Sequence, residues 1–251
     1  MRHLKLYRLL IRLLPGKTRD FRLLRGEDAK AAERFAGIYR RCRARGAALG
    51  LFDREGLKTH LVYGEARPGM PVAGDTGFRT ASVSKMVTAL LVMKLAEMGR
   101  IGLDDDLEGI LPYSLRHPGA PEQPVTLRML LTHTAGIRDG SDYIRALGRD
   151  VPAERLLAGD SHTRQLPGEG CEYSNFGVGL AACALEAALG VSFEELAQDC
   201  LFRPLQMQAS YYPHRLAAPL ADAWRILPPG RTPAFDGKSR QETEREGWDR
   251  P

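Results

Sequence analysis

Apolar residues recur at helical spacing most clearly between residues 82 and 98. They fall three or four positions apart, which is the spacing of a helix that packs one side against a core. Gly99 follows directly, and glycine favours the left-handed conformation that ends many helices. We therefore predict a central buried helix over residues 82–98. Its apolar positions are Val83, Met86, Val87, Leu90, Leu91, Leu95 and Met98.

Two further patterns define the rest of the chain. Residues 47–53 and 57–63 are apolar runs separated by Arg54-Glu55-Gly56, which predicts an antiparallel hairpin. Shorter helical patterns predict helices over residues 27–45, 126–131, 176–189 and 193–201. From residue 228 the chain is polar and rich in Pro and Gly, which indicates a loop. We expect an N-terminal arm over residues 1–45, a main domain over 46–227 and a polar end over 228–251.

The positive charge is concentrated in the predicted arm. Residues 1–45 hold 14 Lys and Arg against 4 Asp and Glu, whereas the whole chain holds 36 and 31. Within residues 1–14, four cations share one helical face and four leucines share another. Two interpretations stay open: peripheral contact with an anionic membrane, or packing of the leucines on the body. The cations are Arg2, Lys5, Arg8 and Arg12, and the leucines are Leu6, Leu9, Leu10 and Leu13.

The arm also bears on localisation and partners. Its leucines are interrupted by cations, so it has no unbroken apolar run of the kind that a secretory signal contains. We therefore expect a cytoplasmic or peripherally membrane-associated protein. The body of the chain is slightly acidic, and we expect no nucleic-acid partner, since the sequence pI of 9.1 reflects the arm.

The first candidate for chemistry is Ser82-Val83-Ser84-Lys85, at the start of the strongest helix. A serine hydroxyl is a weak nucleophile and needs a base beside it. Residues three apart on a helix share a face, so Lys85 can reach the Ser82 hydroxyl. Burial favours the neutral amine of a lysine, which is the basic form. The alternative is a helix-opening serine with a solvated lysine.

The second candidate is Tyr173-Ser174-Asn175. A tyrosine near a nucleophile can carry a proton, and an asparagine can hydrogen-bond a substrate amide or a lysine. Asn175 is the only asparagine in the chain, which makes its place two residues after a tyrosine notable. The alternative is that Asn175 caps the helix predicted to begin near Phe176.

These motifs, in this order, resemble the family of serine β-lactamases, D,D-peptidases and related esterases, nearest to its class C-like branch. Each segment is weak evidence alone, whereas the ordered set spans about residues 46–212. The segments that carry the resemblance are Phe78 to Lys85, Gly99 to Asp105, Leu130 to Gly136, Pro167-Gly168, Tyr173 to Gly177, and Phe202 to Met207.

The resemblance implies an α+β fold, in which an antiparallel sheet is flanked by helices and joined by a helical subdomain. It implies that Ser82 is the acylated nucleophile, Lys85 its general base and Tyr173 a proton carrier. Asn175 would contact the substrate or Lys85. The implied substrate is a small molecule or peptide with an amide or ester bond: a β-lactam, a D-Ala peptide or a small ester. No metal or other cofactor is expected.

One feature departs from the family pattern. The family carries a third motif, Lys or His followed one residue later by Gly, on a strand that supplies an oxyanion donor. After Asn175 no Lys or His stands two residues before a Gly. We therefore expect an incomplete sheet and weak or absent turnover, since losing one oxyanion donor costs about 10²–10³ in rate. The alternative function is a catalytically impaired fragment or homologue that acts as a binding or membrane-surface protein.

Overall fold

The computed structural model describes residues 21–26, 29–147, 151–225 and 230–232. The described residues form two compact units, one within residues 21–79 and 213–232 and one within residues 80–212. The domain boundaries expected after residues 45 and 227 remain predictions. The predicted helix over residues 1–14 lies outside the described residues, as do residues 233–251 of the polar end.

The first unit is built on an antiparallel sheet with β3 at its centre. Strand β3 pairs with β1 on one side and with β2 on the other, and its C-terminal end pairs with β4. The predicted hairpin is present as β2 and β3, with Gly56 at φ 115° in the turn. The elements are β1 (Phe21–Arg25), α1 (Ala29–Arg41), β2 (Gly46–Asp53), β3 (Gly56–Arg67) and β4 (Met70–Pro71).

The centre of strand β3, residues 61–63, is buried on both faces of the sheet. Alternate residues of a strand point to opposite faces, and β3 divides its side chains in this way. Leu61 and Tyr63 form a buried cluster with α1, where the Tyr39 and Tyr63 rings lie 5.5 Å apart. Val62 belongs to a separate cluster with Val72 and others. In the described part of the expected arm, β1 is therefore a strand of the sheet and α1 packs against one of its faces.

Two short strands follow the second unit in the chain. Strand β5 (Ala223–Arg225) pairs antiparallel with β6 (Gly230–Thr232). The loop predicted from residue 228 is therefore wrong for residues 230–232. Backbone hydrogen bonds between strands form without regard to side-chain polarity, so composition alone did not reveal this pair.

The second unit is helical and has its own core. Its elements pack around one cluster that includes Leu95, Leu130, Leu180, Leu185 and Phe202. A short 3-10 turn over Ala81–Val83 precedes α2, and a π-helical segment over Gln198–Phe202 follows α7. The helices are α2 (Ser84–Glu97), α3 (Leu127–Leu131), α4 (Ser141–Ala146), α5 (Ala153–Leu157), α6 (Asn175–Leu189) and α7 (Phe193–Ala197).

Helix α2 differs from the buried helix that its sequence predicted. Only one side of it is buried, although apolar side chains surround it. Helical periodicity correctly predicted the helix, but an all-round apolar pattern does not show which side meets the core. The buried residues are Thr88, Leu91, Val92 and Leu95, and the exposed ones include Met86, Leu90 and Met93.

Among the described residues, no single helix has the length and apolar composition needed to cross a membrane. Helix α6 and the segment Phe193–Phe202 reach that composition only together, and they are bent by 89°.

Leu90 and Leu91 are adjacent on α2 and provide a matched test of this core. Leu91 is fully buried, whereas Leu90 is 53 % exposed. Replacing Leu91 with Ala removes packed atoms and leaves a cavity, which costs about 2–5 kcal/mol of the free energy of unfolding. We expect Leu90→Ala to cost less than about 1 kcal/mol. Urea unfolding monitored by circular dichroism measures both; equal losses would contradict the observed orientation of α2.

Candidate active site

Ser82 lies on the 3-10 turn that leads into α2. The residue before it, Ala81, has φ 47°, a left-handed conformation that non-glycine residues rarely adopt. The Ser84 hydroxyl donates to the Ala81 carbonyl oxygen at 2.7 Å and so holds this turn. Ser82 is exposed at the beginning of a helical segment, as the sequence predicted.

The second motif lies at the N-terminus of α6. Ser174 is the N-cap residue, and its hydroxyl accepts a hydrogen bond from the Gly177 N–H at 2.8 Å. The capping role considered for Asn175 therefore belongs to Ser174. Asn175 is the first helical residue, and its side chain is left to make other contacts.

The structure brings the four predicted site residues together. The Tyr173 hydroxyl donates to Ser82 Oγ at 2.8 Å, and Lys85 Nζ donates to Asn175 Oδ1 at 2.5 Å. Lys85 Nζ also lies 4.9 Å from the centroid of the Tyr173 ring. The sequence predicted that the Ser82 hydroxyl lies within hydrogen-bond reach of Lys85. Among the hydrogen bonds of the described residues, Tyr173 takes that place and Lys85 bonds to Asn175.

Lys85 and Ser82 both act on the ionisation of Tyr173. The side-chain hydrogen bond with Lys85 has the larger effect, that with Ser82 the smaller, and together they lower the pKa of Tyr173. The positive charge of Lys85 favours the phenolate over the neutral phenol, and the phenolate oxygen can accept a hydrogen bond from the Ser82 hydroxyl. Tyr173 is half-exposed, so a substrate and solvent can both reach it.

His133 is a site residue to which the sequence analysis gave no role. Its Nδ1 accepts a hydrogen bond from the Ser174 N–H at 3.2 Å, and its ring centroid lies 4.6 Å from that of Tyr173. Burial lowers the pKa of His133, and the positive charge of Lys85 lowers it further, against a smaller opposing effect of Asp139. The neutral imidazole is therefore favoured, with Nδ1 as the acceptor.

Asp139 is a second residue that the sequence analysis missed. Its carboxylate accepts hydrogen bonds from the Ser174 hydroxyl at 3.0 Å, the Asn175 amide Nδ2 at 2.5 Å and the Phe176 N–H at 2.9 Å. Asp139 stands 36 positions before Asn175, so no local pattern links the two. The available signal was its position three residues after Gly136, just beyond the segment Leu130 to Gly136 that carries the resemblance.

The arrangement has the parts that nucleophilic catalysis needs. An exposed serine hydroxyl is in contact with a tyrosine of lowered pKa, and a lysine lies beside that tyrosine. In the part of the chain that the structure describes, no three His, Cys, Asp or Glu side chains cluster in a way that could hold a metal ion.

Comparison with known proteins identifies the class and then the family. Solved structures of β-lactamase and penicillin-binding-protein type share this α+β fold, including the octameric penicillin-binding protein homologue from Pyrococcus abyssi. That structure has a TM-score of 0.68 and 27 % identity, over 82 % of this chain and 50 % of its own. The sequence profile of the Beta-lactamase family matches residues 29–245, so the chain belongs to the Beta-lactamase family.

Two curated relatives show the range of this similarity. The chain is 30 % identical to the D-alanyl-D-alanine-carboxypeptidase/endopeptidase AmpH of Escherichia coli (strain K12), over 67 % of this chain and 46 % of AmpH. It is 31 % identical to the esterase EstB of Burkholderia gladioli, over 80 % of this chain and 51 % of EstB. The chain thus spans about half the length of these relatives.

The neutral state of His133 predicts a pH dependence of stability. Because its folded-state pKa is below the usual value of 6.5, the unfolded chain takes up the proton first as the pH falls. The native protein should therefore lose stability below about pH 6.5, and a His133→Asn variant should lose less over the same range. Asn tolerates the φ of 61° at this position and keeps an acceptor for the Ser174 N–H. Urea unfolding between pH 5 and 8 measures this, and parallel curves for the two proteins would contradict it.

Proposed function

We propose that this chain is a serine hydrolase that forms an acyl-enzyme on Ser82 with an amide or ester substrate. The observation that carries the proposal is the hydrogen bond between the Tyr173 hydroxyl and Ser82 Oγ, with Lys85 beside the same tyrosine. A serine is activated by a general base beside it, and the Tyr173 oxygen is such a base once its hydroxyl has lost the proton.

Proton transfer follows from these contacts. In its phenolate form, Tyr173 takes the proton from Ser82 Oγ while Oγ bonds to the substrate carbonyl carbon. The bond from that carbon to the amine or alcohol then breaks, and Tyr173 returns the proton to the leaving group. Lys85 stabilises the phenolate by its charge, so it supports the base and Tyr173 is the immediate acceptor.

The start of the helical segment supplies one stabilising donor. The first N–H groups of a helix have no partner within the helix, and the dipole makes this end positive. Ser82 lies on the 3-10 turn at this end, so its own N–H can donate to the oxygen of the attacked carbonyl.

The relatives narrow the substrate to two bond types. AmpH is named as a D-alanyl-D-alanine carboxypeptidase and endopeptidase, and EstB as an esterase. Both names describe attack on a carbonyl carbon, of an amide in one and an ester in the other. We propose the same scope here: a β-lactam, a D-Ala peptide or a small ester. The contacts that carry this chemistry involve side chains and one backbone N–H, and need no cofactor.

Covalent labelling tests the proposal without requiring turnover. Residues 1–251 should react with a fluorescent penicillin or a fluorophosphonate, and peptide mapping by mass spectrometry should place the adduct on Ser82. Tyr173→Phe removes the proton acceptor and should slow labelling by about 10²–10⁴.

Two serines in one motif provide the control. Ser82→Ala should abolish the adduct. Ser84→Ala should keep the adduct on Ser82, although more slowly, because it removes only the hydrogen bond that holds the turn at Ala81 and leaves the nucleophile in place. No adduct on Ser82 with either reagent would reject the proposal and favour the alternative of a catalytically impaired binding protein.

A further inference from the structure

We propose that Asp139 is a positioning residue that fixes the orientation of the Asn175 amide and, through it, the position of Lys85. The inference rests on the proposed function, because it assigns Asp139 a part in preparing that same site. Asp139 makes no contact with Ser82 among its described hydrogen bonds, so it acts through another side chain.

The path from Asp139 to Lys85 consists of two short hydrogen bonds. Asn175 Nδ2 donates to Asp139 Oδ2 at 2.5 Å, and Asn175 Oδ1 accepts from Lys85 Nζ at 2.5 Å. Lys85 Nζ then lies beside the Tyr173 ring, and the Tyr173 hydroxyl contacts Ser82. A shift of the amide therefore moves the charge that lowers the Tyr173 pKa.

Donor and acceptor chemistry leaves Asn175 one orientation. An ionised carboxylate only accepts hydrogen bonds, and an ammonium group only donates them. With Asp139 on one side and Lys85 on the other, the amide must direct its NH₂ to the carboxylate and its oxygen to the lysine. Rotating the amide by 180° would place two donors together and two acceptors together, which costs both bonds.

The carboxylate is itself held in place by the start of α6. Its Oδ1 accepts from the Ser174 hydroxyl and from the Phe176 N–H, and a carboxylate is favoured at a helix N-terminus. The buried Ser174 also caps the helix. Asp139 therefore binds both the backbone at the start of α6 and the Asn175 side chain. These contacts are strong, because hydrogen bonds to a charged group are stronger than those between neutral groups.

The single asparagine of the chain allows a direct measurement of this contact. Protein labelled with ¹⁵N-asparagine gives one side-chain NH₂ pair, from Asn175. In the native protein we expect two well-separated proton resonances with slowed hydrogen exchange. Asp139→Ala should move them to the positions of a free asparagine side chain. Asp142→Ala is the matched control, since that carboxylate pairs with Arg145 at the surface, and it should leave the pair unchanged.

Exchanging Asp139 and Asn175 tests how this contact affects the labelling rate of Ser82. Asp139→Asn places an amide donor against the Asn175 amide and should slow labelling of Ser82 by about 10–100-fold, because small misplacements near a reacting group have effects of this size. The double variant Asp139→Asn with Asn175→Asp restores the donor and acceptor order, so labelling should recover to within about tenfold of the native rate. A carboxylate would then face Lys85, and the pH midpoint of labelling should move upward.

The outcomes separate this inference from the proposed function. A native NH₂ pair already at free-asparagine positions, or one unchanged by Asp139→Ala, would overturn the inference. So would a folded double variant that labels no faster than Asp139→Asn. If Asp139→Ala fails to fold, the double variant again has a single asparagine, at position 139, whose NH₂ pair should show the same separation and slow exchange. If the native protein never labels on Ser82, the proposed function is rejected. The NH₂ resonances still show in that case whether Asp139 binds the Asn175 amide.

Discussion

The N-terminus of α6 is the constraint on which the site depends. A helix begins with N–H groups that have no partner within it, and here side chains supply the partners. The Ser174 hydroxyl satisfies Gly177, and the Asp139 carboxylate satisfies Phe176. These hydrogen bonds fix the backbone at the start of α6. Tyr173 and Asn175 therefore project from a defined backbone toward Ser82 and Lys85. A looser start to the helix would leave the same four side chains without a common geometry.

Lys85 sets the charge state of its surroundings in two ways. Its positive charge favours the phenolate of Tyr173 and disfavours the imidazolium of His133, so it lowers the pKa of both. The effect on the tyrosine stabilises an anion beside the nucleophile. The effect on the histidine adds to that of burial and keeps Nδ1 free to accept from Ser174. The charge of Lys85 thus stabilises the phenolate of Tyr173. It also favours the neutral His133, which accepts a hydrogen bond from the Ser174 N–H.

Backbone strain lies next to the reacting groups. Ala81 and His133 both have left-handed φ values, of 47° and 61°. For residues with a Cβ this conformation costs roughly 1–2 kcal/mol. Hydrogen bonds stabilise both residues. The Ser84 hydroxyl donates to the Ala81 carbonyl oxygen, and the Glu172 N–H donates to the His133 carbonyl oxygen. Strain of this kind persists where the surrounding contacts over-determine it, and it clusters at functional sites.

The sequence by itself determined the elements whose signals are local. The hairpin, the helix of residues 84–97 and the helix that begins after Ser174 follow from apolar spacing and from turn and cap residues. The sequence also predicted that Ser82, Lys85, Tyr173 and Asn175 belong together, because their two motifs open helices in an order that resembles a known family. Which side of α2 is buried remained undetermined, since its apolar residues surround it.

Only the tertiary structure decided how the site residues are connected. Helical spacing allowed Lys85 to reach Ser82, but Asn175 comes from another helix and binds the ammonium, and Tyr173 binds the serine. Asp139 and His133 act across separations of 36 and 41 positions, on Asn175 and Ser174 respectively. Spacing along a chain specifies contacts within one helix, whereas a hydrogen bond between distant segments depends on where packing places them.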